Sequence, residues 1–263
     1  MSGRPVTLAD FIGEHMLLLG AGSTVMYQLA MKGVGLGVAE HSTTLARPVD
    51  RLRTTLTYVY VMVLGSAEEK AQIARLVNRM HAGVRSPGRY SAYDTDLQLW
   101  VAATLAHNGE WFYERVLGPL DAASREQIYR DSWIFGTALQ VTADDWPQTR
   151  AAFDDYWADA LTRLEPDPIV QDYCRRLLSG EDSPLVARPV LALQSLMTRG
   201  NLEPQVREVL ALPWTPREQR LYDLFWRVFP RVYRLVPRPL RQLHTTIILR
   251  DLRRRLRTGK RVI

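Results

Sequence analysis

Arg51 and Thr55 stand four residues apart in Pro48-Val49-Asp50-Arg51-Leu52-Arg53-Thr54-Thr55-Leu56-Thr57, a spacing that puts a guanidinium and a hydroxyl on one helix face. Leu56, Val59, Val63 and Leu64 continue as an apolar stripe, so both groups sit beside an apolar interior, where an unpaired donor is costly. The next helical stretch ends in Arg75-Leu76-Val77-Asn78-Arg79-Met80-His81-Ala82-Gly83-Val84 and sets His81 near an apolar helix end, just before the Ser86-Pro87-Gly88 break. A neutral imidazole there carries a lone pair that could bind iron. Each residue also has a plainer role. His81 fits a packed or surface histidine, Arg51 an interhelical salt bridge, and Thr55 a hydroxyl bonded back to the preceding turn. His15, His41, His107 and His244 have weaker contexts; His41, beside Glu40 and Ser42, reads as structural, with contact to a substrate or prosthetic group as the other reading.

Other motifs lack their positioning devices. Leu17-Leu18-Leu19-Gly20-Ala21-Gly22-Ser23-Thr24-Val25 imitates a dinucleotide-binding turn, but Val25 replaces the third glycine and no strand-helix alternation surrounds it. There is no H-E-x-x-H, G-x-S-x-G or Walker loop, so zinc hydrolysis, serine acyl transfer and P-loop phosphate chemistry lack their positioning motifs and recede. The neighbouring carboxylates Asp144-Asp145 and Asp154-Asp155 point about 100° apart on a helix and cannot jointly flank one bond.

Three segments together resemble the latex-clearing rubber oxygenases and the MpaB-type oxygenase of the mycophenolic-acid pathway. They are Arg51-x-x-x-Thr55, Met80-His81-Ala82-Gly83-Val84, and Tyr93-Asp94-Thr95-Asp96-Leu97-Gln98-Leu99-Trp100-Val101-Ala102-Ala103-Thr104-Leu105, preceded by Gly37-Val38-Ala39-Glu40-His41-Ser42. The resemblance spans roughly residues 10–250. It implies an all-α fold around haem b, with His81 as the axial iron ligand and Arg51 and Thr55 as polar residues beside the haem, Arg51 either near bound O2 or on a haem propionate. The implied activity is oxidative: O2 cleaves carbon-carbon double bonds of isoprenoid chains to carbonyl products. Two positions depart from the pattern. Thr54 stands where the rubber enzymes carry a lysine that ligates iron from the distal side, and Ala102 where many relatives carry histidine. A different substrate, a different haem environment or lost catalysis each fit those departures.

Helical periodicity recurs along the chain, and Gly and Pro punctuate it. About ten helices are expected in one domain over residues 1–263, at roughly 7–19, 23–32, 47–64, 67–84, 95–117, 122–140, 147–164, 168–179, 186–200, 216–234 and 238–257. Gly33, Gly35 and Gly37 are expected to crowd a loop, and Asp94 to cap the helix through Leu97 and Trp100. Residues 238–263 form a basic C-terminal helix and tail.

The formal charge of +6 is concentrated at that end. From Arg231 onward the chain carries +10, leaving −4 for the body, so the pI of about 9.6 describes the tail. Leu240, Leu243, Ile247, Ile248 and Leu252 alternate there with arginines, which suits either a helix packed on the body or peripheral contact with an anionic membrane. No groove-reading motif points to nucleic acid. Cys174, the lone cysteine, rules out an intramolecular disulfide or thiolate cluster and fits a reducing compartment. Asp10, Glu14 and His15 interrupt the apolar positions of the N-terminal stretch, and a cytoplasmic protein is expected. The leading functional expectation is a haem-dependent oxygenase taking O2 and a hydrophobic, isoprenoid or lipid-derived molecule. Its alternatives are a haem or lipid carrier without turnover, and a haem-free membrane-associated helical protein.

Overall fold

Apolar residues recur at helical spacing, and the stops between them are chemical: Ser66 accepts from the Glu69 N–H while Glu69 reaches back to Ser66, and Asp94 and Thr149 cap the helices that follow them. A computed structural model describes residues 4–179, 186, 188–260 and 262. The helices are α1 (Leu8–Phe11), α2 (Leu18–Ala30), α3 (Lys32–His41), α4 (Pro48–Leu64) and α5 (Ala67–His81), then, after a two-stranded hairpin, α6 (Thr95–Leu117), α7 (Ala122–Ser132) and α8 (Ile134–Thr137). They continue as α9 (Arg150–Thr162), α10 (Pro168–Ser179), α11 (Arg188–Gly200), α12 (Pro204–Val209), α13 (Pro216–Leu235), α14 (Arg238–Arg241) and α15 (Leu243–Thr258). The hairpin, β1 (Arg85–Ser86) and β2 (Tyr90–Ser91), is antiparallel, pairs Arg85 with Ser91 and Ser86 with Tyr90, and turns at Gly88 with φ +71°. The fold is all-α.

α6 is the central post. Trp100, Ala103 and Phe112 are buried along it, and α2, α7, α8 and α13 pack around it. The Trp100 indole donates to the Tyr27 carbonyl of α2 at 3.0 Å, and Trp157 of α9 stacks on Trp100 at 5.1 Å. No described helix is long and apolar enough to cross a membrane.

The glycines behave differently from expectation. The Gly33-Gly35-Gly37 run is not a loop but lies inside α3. A Cβ on Gly35 would stand 2.7 Å from Val170, so the missing side chain lets α10 lie directly on α3. Gly20 and Gly22 likewise lie within α2, where Phe112 and Thr198 occupy the space of their absent side chains. That is interhelical packing, not a phosphate turn. The expected helix over 7–19 is interrupted: α1 stops after one turn, and a 3-10 turn at His15–Leu17 leads straight into α2. The expected span 122–140 is broken at Trp133, and α12 was not expected.

The basic C-terminal segment is a packed helix. α15 lies on α4 with Thr245, Leu249 and Leu252 buried; Arg253 pairs with Glu69 at 2.8 Å, and Arg255 with Asp251 at 2.5 Å. Glu14, buried at the start of the chain, accepts from Tyr233 at 2.8 Å and Gln242 at 2.9 Å and lies 3.4 Å from Arg241. A carboxylate that breaks the N-terminal apolar pattern thus ties the two ends of the fold together.

Candidate functional site

α4 and α5 are joined at Gly65-Ser66, so they run as an αα-hairpin. Arg51 lies 14 residues before Gly65 and His81 15 residues after Ser66. At roughly 1.5 Å per residue those arms match in length, which brings the two side chains to the same open end. Both are half-buried there, and the Arg51 charge reaches the imidazole. Thr55 follows one turn along α4, exposed, with its hydroxyl donating to the Arg51 carbonyl at 3.1 Å.

The electrostatics of this corner are unusual because its polar groups are unpaired. His81 Nδ1 is sealed from water with no hydrogen-bond partner, and Arg51 makes neither a hydrogen bond nor an ion pair among the described residues. From α10, Tyr173 adds a buried hydroxyl that is also unpartnered and lies within electrostatic reach of Arg51. Burial pushes the His81 pKa down, and the Arg51 cation pushes it down further, so the ring is neutral near pH 7. Burial also lowers Arg51, although a guanidinium stays charged. Each buried group left unsatisfied costs about 1–3 kcal/mol, more where it is charged. The unsatisfied His81 imidazole and Tyr173 hydroxyl both lie within electrostatic reach of the Arg51 guanidinium.

The surrounding segments hold this corner rigidly. The His81 carbonyl accepts from Val84 N–H at 2.9 Å as the chain enters the hairpin. Tyr93 donates to the Asn78 carbonyl at 2.8 Å and Gln140 to the Asn78 side chain at 2.7 Å, which satisfies the end of α5. Tyr90 donates to Glu40 at 2.5 Å and meets His41 at 3.1 Å, while Arg89 pairs with Glu40 at 2.9 Å. The Gly37–Ser42 segment therefore clamps the hairpin, and His41 is engaged in that clamp. Asp94 caps α6 by accepting from Leu97 at 3.1 Å.

The two departures have structural contexts. Thr54 donates to the Asp50 carbonyl at 2.9 Å. Ala102 is buried where α6 meets α8, and a Cβ built on Gly136 would stand 3.3 Å from its methyl group, so position 102 has no space for an imidazole in this packing. Cys174, fully buried, has its thiol pushed up to about 12 by burial and is no thiolate ligand. Among the described residues no three His, Cys, Asp or Glu side chains gather as a metal cage. A donor set of one imidazole suits a metal that arrives inside a prosthetic group supplying the other ligands.

Sequence reasoning missed Tyr173, whose relation to Arg51 exists only because α10 packs on α3. It also missed a second polar cluster, in which His244 stacks on His15 at 4.1 Å and meets the Tyr60 hydroxyl at 2.5 Å. Two clefts, of about 730 Å³ beside Met62, Lys70 and Trp133 and about 420 Å³ beside Phe11, Tyr113 and Arg241, are lined by none of Arg51, Thr55 and His81. The His244 cluster also holds an unpaired buried atom, the His244 Nδ1, so the corner at His81 is set apart by the Arg51 cation beside its imidazole.

Residues 10–235 match the family described as ER-bound oxygenase mpaB/B'/rubber oxygenase, catalytic domain. The chain belongs to this oxygenase family. An uncharacterised protein of Mycobacterium tuberculosis and one of Mycobacterium bovis are each 36% identical to it over 256 residues, covering 94% of this chain and 100% of the relative. No solved structure matches it significantly. Within the oxygenase family match lie all three segments that first drew attention, together with α10 and its Tyr173.

Proposed function

We propose that this chain is a haem-b-dependent oxygenase that uses O2 on a hydrophobic, isoprenoid or lipid-derived substrate, with His81 as the protein ligand to iron and Arg51 and Thr55 beside it. The observation that carries this reading is the pair of unpaired groups, the His81 imidazole and the Arg51 guanidinium, at the same end of the α4–α5 hairpin. Haem, when bound, supplies the one-electron and O2 chemistry that side chains lack. The residues have their own tasks. His81, kept neutral by burial and by Arg51, presents a lone pair and not a proton. Arg51 offers a planar fork to a carboxylate such as a propionate, or a cation to developing negative charge. The Thr55 hydroxyl, its proton directed to the Arg51 carbonyl, keeps its oxygen as an acceptor and fixes its rotamer.

The buried Ala102 and the internally bonded Thr54 favour a second reading, a haem carrier without turnover, because each replaces a group that resembling enzymes use. Haem titration tests both. The full chain is expected to develop a Soret band with one haem per chain, and His81→Ala to shift that spectrum and weaken binding at least tenfold. An unchanged spectrum and affinity in His81→Ala would remove the ligand assignment. Oxygen consumption with alkene substrates then separates oxygenase from carrier.

A further inference from the structure

Among the described residues, α13 carries more exposed large apolar side chains than any other helix. Leu221, Leu224, Val228, Val232 and Leu235 are 47–82% exposed and spaced three or four apart, so they form one stripe. The helix is anchored by a different row: Tyr222, Trp226 and Tyr233 are buried, with Trp226 against Trp111 and Phe112 of α6. At 3.6 residues per turn the exposed stripe is centred roughly 130° round the helix from the buried row. Packing on the body therefore does not explain it. Arg220, Arg227, Arg231 and Arg234 form a third row along the other flank of the stripe.

These arginines are not neutralised. Arg220 and Arg227 have no acidic partner among the described residues, Arg231 donates to the Arg227 carbonyl, and Arg234 donates to the Val116 carbonyl at 2.6 Å. The acids of α13 are engaged elsewhere: Glu218 pairs with Arg199 at 2.7 Å, and Asp223 accepts from Gln219 at 2.8 Å. The apolar surface continues past the helix end through Val236 and Leu240. In the C-terminal segment Leu252 is buried and Ile248 half-buried against the core, while Leu240, Leu243 and Ile247 are 48–57% exposed beside this face.

We infer that the exposed face of α13 and its turn into α14 is a docking surface for an anionic lipid bilayer, with the aliphatic stripe entering the headgroup boundary and the arginine row meeting lipid phosphates. An apolar stripe flanked by cations, on a helix lying along the protein surface, is the arrangement that binds in the interfacial plane. Charge selects this occupant over a second copy of the chain, because the face presents a row of arginines and no acidic row for a second copy to meet, Glu218 being paired with Arg199 and Asp223 bonded to Gln219. The inference is independent of haem at His81, and its test does not read haem.

The test is sedimentation of the full chain with vesicles of phosphatidylcholine, alone or with about one third phosphatidylglycerol. Association with the anionic vesicles is expected, falling at least tenfold as salt rises from about 50 to about 500 mM, since the Debye length shortens severalfold. Arg227→Gln with Arg231→Gln is expected to weaken it by roughly fivefold per arginine, the equivalent of about 1 kcal/mol each. Val228→Glu with Val232→Glu is expected to abolish it. All four sites are exposed, so circular dichroism and melting temperature are expected to match the parent chain. No association at low salt, or association that both paired variants leave unchanged, overturns the inference. So does a concentration-dependent dimer that Val228→Glu with Val232→Glu dissolves while vesicle association is absent.

Discussion

Arg51→Met isolates the claim that the corner at His81 is a receiving surface. Methionine keeps most of the length and the apolar stem of arginine but removes the charge. Were Arg51 an ordinary structural cation, the change would remove an ion pair and destabilise the fold, by about 3–5 kcal/mol for a buried pair. Among the described residues there is no pair to lose: the guanidinium is half-buried, without an acceptor there, and within electrostatic reach of an imidazole whose protonation it opposes. Full burial of such a charge would cost several kcal/mol; partial exposure reduces that, so the haem-free chain is expected to gain about 1–2 kcal/mol on substitution. For a domain of this size that is a rise of about 2–8 °C in melting temperature. With Arg51 absent one of the two causes lowering the His81 pKa is gone, and its titration is expected to move upward toward the ordinary histidine value. The same variant is expected to bind haem at least tenfold more weakly. Thermal unfolding and haem titration of one preparation give both numbers. A destabilised Arg51→Met, or one with unchanged haem affinity, refutes the reasoning.

Two further outcomes follow from packing and burial. His107 stacks on Trp157 at 3.9 Å and 7°, and burial, helped by Arg150, pushes its pKa down to about 4. The unfolded chain takes up that proton below pH 6.5 and the folded chain does not until about pH 4, so stability is full above pH 6.5 and falls by up to about 3 kcal/mol between those values. His107→Phe, which preserves the stack, is expected to reduce that fall in urea unfolding at pH 7 and pH 4.5, and an unaltered pH dependence would count against it. Ala102→His introduces a ring where α6 and α8 are in contact and is expected to cost about 1–3 kcal/mol; an unchanged melting temperature would show that the α8 contact yields.

Much of the helical scaffold is written locally. The α4, α5, α6 and α10 segments carry a stripe, a stop and in most cases a cap, and Asp94 could be read as a cap from its position alone. Short-range chemistry fails where a residue serves a distant partner. Three glycines in five residues spell a loop until Val170 of α10 and Leu97 of α6 are seen filling the space they leave. Glu14 looks like an interruption of an apolar helix until Tyr233, Gln242 and Arg241 converge on it from more than 200 residues away. Which apolar residues of the arginine-rich C-terminus stay exposed was also a tertiary matter: α15 buries Leu249 and Leu252, with α4 packed on it, and leaves Leu243 and Ile247 exposed, while the longest exposed stripe lies on α13.

By itself, then, the sequence determined most of the helix-forming segments, the candidate residues Arg51, Thr55 and His81, and the lack of the cysteines a thiolate cluster needs. All of these rest on residue type and on spacing within one or two turns. Tertiary structure decided that His81 and Tyr173 come within electrostatic reach of Arg51, and that no acceptor among the described residues pairs with Arg51. Pairing of a buried charge depends on every element packed around it, and no local pattern carries that information.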